Sequence, residues 1–184
     1  MILTYNDILD ELNRDNIIVQ PFDPSRIGTN SIDLTLGKYI MKLDGNPLDV
    51  AKPTDVTLAE IPDEGYLLVP GKVYLCATAE RTWTKKHVPI LHGKSSIARM
   101  GISVHDAGFG DLGFKGHWTL ELTVAQPVIV YAGIPIVQIC FHEIKSMPDK
   151  DYMQLKTSSY TTAWEDPKPQ PSALWKKLKT NVVS

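Results

Sequence analysis

Between Gly93 and Leu122 the chain reads GKSSIARMGISVHDAGFGDLGFKGHWTLEL, a run whose side chains are not explained by folding alone. Gly93-Lys94-Ser95-Ser96 stands directly before Ile97-Ala98-Arg99-Met100, a short helix-forming segment. The two hydroxyls therefore fall where helix-start N–H groups lack partners, a natural seat for phosphate. The run ends in Trp118-Thr119-Leu120-Glu121-Leu122-Thr123-Val124, whose alternation sets Trp118, Leu120, Leu122 and Val124 on one face of a strand. Glu121 points the other way. A carboxylate between two threonines, opposite a wholly apolar face, is directed at solvent, a subunit interface or a pocket.

The elements that must position these groups can be read from the same patterning. Thr4-Tyr5-Asn6-Asp7 reads as a capped helix start, with Ile8, Leu9 and Leu12 on one face and an end near Asp15-Asn16. Ile17 to Gln20 is a short strand and Pro21 to Asn30 is loop by composition. Ser31 to Leu36 alternates with Ile32, Leu34 and Leu36 inward, leaving Asp33 outside as a solvated residue or as an acceptor that braces the site. Tyr39 to Pro62 reads as hairpin and loop, and Tyr66 to Thr78 as two strands around a Pro70-Gly71 turn. Val88 to His92 leads into the central run, and Pro127 to Phe141 supplies two more strands about Ala132-Gly133. Many short strands and only two short helices predict a mainly β fold, an all-β barrel or jelly roll, over residues 1–145. Residues 146–184 turn polar and carry Pro167, Pro169 and Pro171, which predicts a C-terminal arm that folds over the site when substrate is present.

Composition narrows the function classes. The chain has 184 residues, suited to one domain, and a formal charge of −2. Its basic residues cluster only at Lys168, Lys176, Lys177 and Lys179, which argues against duplex binding, since that needs a basic face. Those lysines read as a solvated tail or as an arm that touches a bound phosphate chain. Cys76 and Cys140, the two cysteines, lie in apolar strand-like runs and read as buried, reduced core thiols, not as a metal pair. No segment approaches the ~20 apolar residues of a membrane span, nor a signal peptide. The expectation is a soluble cytoplasmic protein with no membrane or nucleic-acid partner.

Taken together, Gly93-Lys94-Ser95-Ser96-Ile97-Ala98-Arg99-Met100-Gly101, Val104-His105, Ala107-Gly108-Phe109, Asp111, Gly113-Phe114, Gly116 and Thr119-Leu120-Glu121-Leu122 resemble the signature of dCTP deaminases, relatives of trimeric dUTPases. Upstream, Pro21-Phe22-Asp23 and Ser31-Ile32-Asp33-Leu34-Thr35-Leu36-Gly37 resemble that family's N-terminal stretch; downstream, Gly133 to Phe141 resembles its "GxxIxQLxF" strand. The resemblance implies a distorted β-barrel of the dUTPase-like type with short helices, assembled as a homotrimer with active sites at subunit interfaces.

It also implies a hydrolase chemistry. Most cytosine deaminases use zinc held by H-x-E and P-C-x-x-C patterns, and neither is present in this sequence. A metal-independent route rests on one carboxylate as general base and then acid, and Glu121 is the matching position. By resemblance Ser95 helps hold the water and Arg99 lies against the base and the carboxylate, both from a neighbouring subunit; the other reading of Arg99 and Glu121 is an ion pair holding the trimer together. Lys94, Ser95 and Ser96 would bind phosphates, with Mg²⁺ carried on the triphosphate. Ala107, Phe109, Tyr152 and Tyr160 match substrate-binding positions. Asp111 matches the aspartate that meets the sugar 3′-hydroxyl and helps activate water at the α-phosphate in the diphosphate-forming branch, although Gly110 and Gly113 also suit a plain turn. Phe114 matches the ring under the deoxyribose. Gln138 matches a glutamine near the nucleotide or faces outward from a strand, and His105 reads as a packing residue.

Three features depart from the family pattern. The loop between Arg99 and Ala107 is one residue shorter, His92 and Lys94 flank Gly93 in place of an acidic residue and an arginine, and Ser159 and Ala163 replace an arm lysine and glutamine. These leave the phosphate-chain preference open. The expected activity is deamination of dCTP to dUTP and ammonia, supplying dUMP and dTTP precursors. The alternatives are a bifunctional enzyme continuing to dUMP and pyrophosphate, a deaminase preferring dCMP, a dUTPase, and a non-catalytic nucleotide-binding module.

Overall fold

The β-rich expectation is met in the computed structural model, which describes residues 1–105 and 108–181. Helix α1 (Tyr5–Asn13) starts as the sequence predicts, the Asp7 carboxylate accepting the Thr4 N–H at 2.9 Å. It ends just before Asp15, which takes a left-handed φ of 53°. Its buried face carries Ile8 and also Glu11, which the hydrophobic pattern does not mark. Glu11 Oε2 meets the buried His87 Nε2 at 2.9 Å and Lys86 Nζ at 3.1 Å, so the acid is paired where it is buried.

Strands β1 (Ile17–Gln20), β2 (Ile32–Leu43), β3 (Val56–Glu60), β4 (Tyr66–Leu68), β5 (Tyr74–Thr84) and β6 (His87–Gly93) are followed by helix α2 (Ser95–Ala98). Then come β7 (Ile102–Val104), β8 (Lys115–Val124), β9 (Val128–Val130), β10 (Pro135–Glu143) and helix α3 (Leu174–Asn181). The main sheet is antiparallel in the order β6-β10-β2-β5-β8-β7. Its two long strands each hand over from one partner to another along an edge: β2 pairs β10 through Ile32–Thr35 and β3 through Tyr39–Leu43, while β5 pairs β2 with one half and β1 with the other. That hand-over bends the sheet. At its ends, residues 108–110 return to β6 through Leu91 N–H to Gly108 O and Gly110 N–H to Pro89 O, bringing the sheet close to closure as a barrel.

The interior is filled by the alternating positions of the long strands, Ile32, Leu34 and Leu36 of β2, Leu120 and Leu122 of β8, and Ile139 and Phe141 of β10. Each such side chain contributes about 1.5–3 kcal/mol by leaving water. Thr35 at 2% exposure and Glu80 at 2% form a buried polar exception. Glu80 accepts from the Thr35 N–H at 2.7 Å and hydroxyl at 2.8 Å, and Arg26 Nη1 reaches it at 2.6 Å, tying the loop before β2 to the barrel.

Two sequence expectations change. β2 does not stop at Leu36 but runs on to Leu43 across a register shift between Leu36 and Ile40. The two strands around Pro70-Gly71 are present as β4 and β5 and the two about Ala132-Gly133 as β9 and β10, and β4 pairs β9 in a separate two-stranded sheet. Among the described residues a third α-helix, α3, stands beside the two short helices expected, and it carries the exposed lysines Lys176, Lys177 and Lys179. Among the described residues no helix is long and apolar enough to cross a membrane.

Candidate active site

β8 alternates between buried and half-buried residues along its whole length, so His117, Thr119 and Glu121 share one face while Trp118, Leu120 and Leu122 enter the core. The Glu121 face opens on a cavity of about 490 Å³, lined also by Asp111, Phe114, Phe109, Tyr152 and Tyr160. Six of the residues singled out from the sequence thus meet in one place.

Asp111 enters through a turn. The Phe114 N–H donates to Asp111 O at 3.1 Å, and Gly113 holds φ 80°, which a side chain would strain. A Cβ on Gly113 would also fall 2.7 Å from Asp151 Cβ, so the turn and the arm are packed together. Phe114 then packs against Trp118 at 4.4 Å between centroids and edge-on to Tyr152 at 5.5 Å. Both sequence readings of Asp111 are compatible with this geometry, as it is a turn residue and a wall residue at once.

Tyr152 closes the cavity from the arm. Its N–H donates to Leu112 O at 2.8 Å and its hydroxyl accepts the Tyr160 N–H at 3.0 Å. Burial pushes the Tyr152 phenol up, so it stays protonated. Burial likewise pushes the Glu121 carboxyl up, opposed more weakly by its own backbone N–H and by the charge of His105. A carboxyl raised in this way is better suited to take up a proton and return it than one in its ordinary range. His105 is exposed, its N–H donating to Glu121 O at 2.9 Å, and so it is not the packing residue expected.

The remaining candidates lie elsewhere on the chain. Ser95 and Ser96 open α2 with Lys94 as its N-cap and Arg99 as its C-cap, beyond the Glu121 cavity. Lys94 Nζ donates to Asp33 Oδ2 at 2.5 Å, which gives Asp33 the bracing role. Gln138 sits in β10 opposite Asp33 and His92, with Ser31 Oγ 3.5 Å from its Oε1. One chain therefore presents two separate sets, a carboxylate and aromatic set and a cation and hydroxyl set. Ala107 lies outside the described residues.

Other lining residues carry weaker sequence signals. Thr119 belongs to the motif around Glu121 and His117 shares its face, Lys177 belongs to the basic cluster read as a tail or as an arm that touches a bound phosphate chain, and Gln170 comes from the arm, which composition alone cannot place. Glu121, Tyr160 and Gln170 also border a second cavity of about 360 Å³, walled by Leu43, Leu75 and Trp175. Among the described residues no group of three or more His, Cys, Asp or Glu side chains is arranged to hold a metal ion. Cys76 and Cys140 are free and buried.

Residues 2–144 match a protein family described as dCTP deaminase-like. A curated relative from Clostridium acetobutylicum, named dCTP deaminase, dUMP-forming, is 41% identical over 177 residues, covering 96% of this chain and 98% of its own. One of the same name from Cytophaga hutchinsonii is 42% identical over 180 residues, covering 97% and 99%. The crystal structure of 2′-deoxycytidine 5′-triphosphate deaminase from Agrobacterium tumefaciens aligns at a TM-score of 0.61 and 20% identity, over 78% of this chain and 48% of that one. This chain spans about half the length of that structure, and the likeness is one of fold.

Proposed function

Because this chain belongs to the dCTP deaminase-like family, we propose that it deaminates dCTP and carries the product on to dUMP and pyrophosphate. The observation that carries this reading is the shared cavity, where Glu121, with its carboxyl held up by burial, stands with Asp111 over an aromatic floor. Release of dUTP is the first expectation from the sequence. The two-step reading is favoured over it because relatives aligned over 96–97% of the chain are named dUMP-forming.

In the first step Glu121 takes a proton from the water that attacks C4 of cytosine. It passes that proton to N3, then takes the remaining proton of the added hydroxyl and delivers it to the amine, which leaves as ammonia as the C4 carbonyl forms. In the second step Asp111 orients and helps deprotonate the water that attacks the α-phosphate, and pyrophosphate leaves. Phe114 lies under the deoxyribose, and Mg²⁺ arrives on the triphosphate as part of the substrate. Arg99, Ser95, Ser96 and Lys94, absent from the cavity of their own chain, are supplied by a second copy in a homotrimer. The proposed setting is cytoplasmic pyrimidine nucleotide metabolism.

The test is a product analysis with dCTP and Mg²⁺, quantifying ammonia, dUTP, dUMP and pyrophosphate. Ammonia and pyrophosphate appearing together with dUMP support the reading; dUTP accumulating alone reduces it to a simple deaminase. Inert dCTP with hydrolysis of dUTP makes the protein a dUTPase, and turnover of dCMP alone moves the phosphate preference.

A further inference from the structure

After Tyr160 the arm crosses the outer face of β8. The His117 N–H donates to Ala163 O at 2.9 Å, and the Gln170 N–H donates to Thr119 Oγ1 at 2.9 Å. His117, Thr119 and Glu121 occupy successive positions of that face. Tyr160 and Gln170 border both cavities that meet at Glu121. Between them stands Trp164, which lines neither cavity. The Arg81 guanidinium lies over its indole at 4.4 Å and the Lys115 ammonium at 4.6 Å. Arg81 Nη1 also donates to Trp164 O at 3.3 Å. Beside it Ala163 is buried where a Cβ on Gly116 would fall 2.5 Å from it, so β8 leaves room at this one step for the arm to seat.

We propose that Trp164 is a positioning residue: held by Arg81 and Lys115 on the adjacent strands β5 and β8, it fixes residues 160–170 as a strap that keeps bulk water from Glu121. The proposal rests on Glu121 being the proton-transfer group. Two cations drawn to one ring supply the attachment, and the paired backbone bonds at His117 and Thr119 set the register of the strap along the strand. Trp164 itself lines neither cavity, so its effect on the reaction passes through Glu121.

The groups facing Glu121 fix the sign of the effect. Asp111, His117, Tyr152, Tyr160 and Lys177 share its main cavity, Asp49 and Lys52 border the second, and His105 stands at the end of β7. Of these, Tyr152, Tyr160 and Lys177 belong to the arm; the others stay in place when the strap loosens. Burial is the largest influence on the Glu121 carboxyl, so admitting water moves its titration down toward the ordinary carboxylate range.

The experiment compares the native protein with Trp164→Ala, Trp164→Phe and the Arg81→Gln/Lys115→Gln pair. The readout is the titration of the Glu121 side-chain carboxyl by carbon-13 NMR, assigned by its loss in Glu121→Gln, and this readout needs no turnover. The Glu121 midpoint falls by about half a pH unit or more in Trp164→Ala and in the paired variant, and Trp164→Phe stays close to native because it keeps a ring for the cations. Hydrogen exchange of the 160–172 segment rises roughly tenfold in Trp164→Ala while β2 and β5 keep their protection, which separates loosening from unfolding. Lys177→Gln, which removes the arm's charge and leaves the anchor, gives the contribution to subtract. With dCTP, the acid limb of kcat/KM for ammonia release moves with the midpoint. A midpoint that stays put while exchange quickens makes Trp164 a purely structural anchor and overturns the proposal, as does unchanged exchange. A native protein that titrates as expected but releases no ammonia overturns the functional reading and leaves the strap standing.

Discussion

Asp111 and Glu121 border one cavity, the first in the turn that enters β8 and the second on the outward face of that same strand. Two carboxylates on one rigid element can serve two hydrolyses of one nucleotide without the substrate leaving. Separating them is therefore the most direct check. Asp111→Asn is expected to keep ammonia release within a fewfold of native and to cut pyrophosphate formation by about a hundredfold or more, so that dUTP accumulates. Equal loss of both products would instead make Asp111 a shared binding residue.

Glu121→Gln separates activity from stability. Ammonia release is expected to fall by about a hundredfold to ten-thousandfold, while nucleotide binding measured by calorimetry survives. The stability effect has the opposite sign. Burial holds the folded carboxyl above its unfolded value of 4.5, so the folded state binds more protons, and stability falls as pH rises from the unfolded value through the folded one. At neutral pH the ionised Glu121 is thus a cost that Gln removes. The midpoint of thermal unfolding is expected to rise by about 2 °C at pH 7.5 and to show no gain at pH 4. A lower midpoint at pH 7.5 would mean that the carboxylate is stabilised by its surroundings.

How much of this was legible depends on the range of the interactions. Ile32, Leu34 and Leu36, and Trp118 to Val124, are read correctly because a period of two depends only on neighbours in the chain. The directions of Glu121 and Asp33 follow from the same rule. The pairing of β4 with β9 leaves no such trace, since Tyr66 to Leu68 and Val128 to Val130 find each other across the length of four intervening strands. The burial of Glu11 is equally hidden, because it depends on His87 and Lys86 arriving from a distant turn. Within the site, Asp111, Phe114, Tyr152 and Tyr160 are found by resemblance, whereas the placing of Gln170 and Trp164 is set by an arm whose polar, proline-rich composition specifies no partner.

Arg26 is expected to matter for stability although it is remote from the chemistry. It is the cation beside Glu80, whose side chain is 2% exposed, and the contact is 2.6 Å. Arg26→Met leaves that carboxylate with the Thr35 N–H and hydroxyl alone. Since the guanidinium itself is one-third exposed, the loss is moderated by solvent to about 2 kcal/mol, or roughly 4–8 °C in a thermal melt. Glu80→Gln combined with Arg26→Met is expected to recover part of the loss, because the uncompensated charge is gone. A melt unchanged in Arg26→Met would show that Thr35 satisfies Glu80 by itself.

Arg99 and Glu121 supply the last check, because one chain does not bring them into the same cavity. If each active site takes Glu121 from one copy and Arg99 from the next, Arg99→Ala and Glu121→Gln are both inactive as pure assemblies. Unfolding and refolding the two together creates interfaces that combine an intact Glu121 with an intact Arg99. In a randomly mixed cyclic trimer that pairing occurs at about one site in four, so about a quarter of native ammonia release is expected to return. The same mixture of Glu121→Gln with Asp111→Asn recovers no site able to complete both steps, since those two residues share a cavity within one chain. Activity that does not return in the first mixture would overturn the sharing of one site between copies, whereas an active Arg99→Ala would place Arg99 outside the reaction.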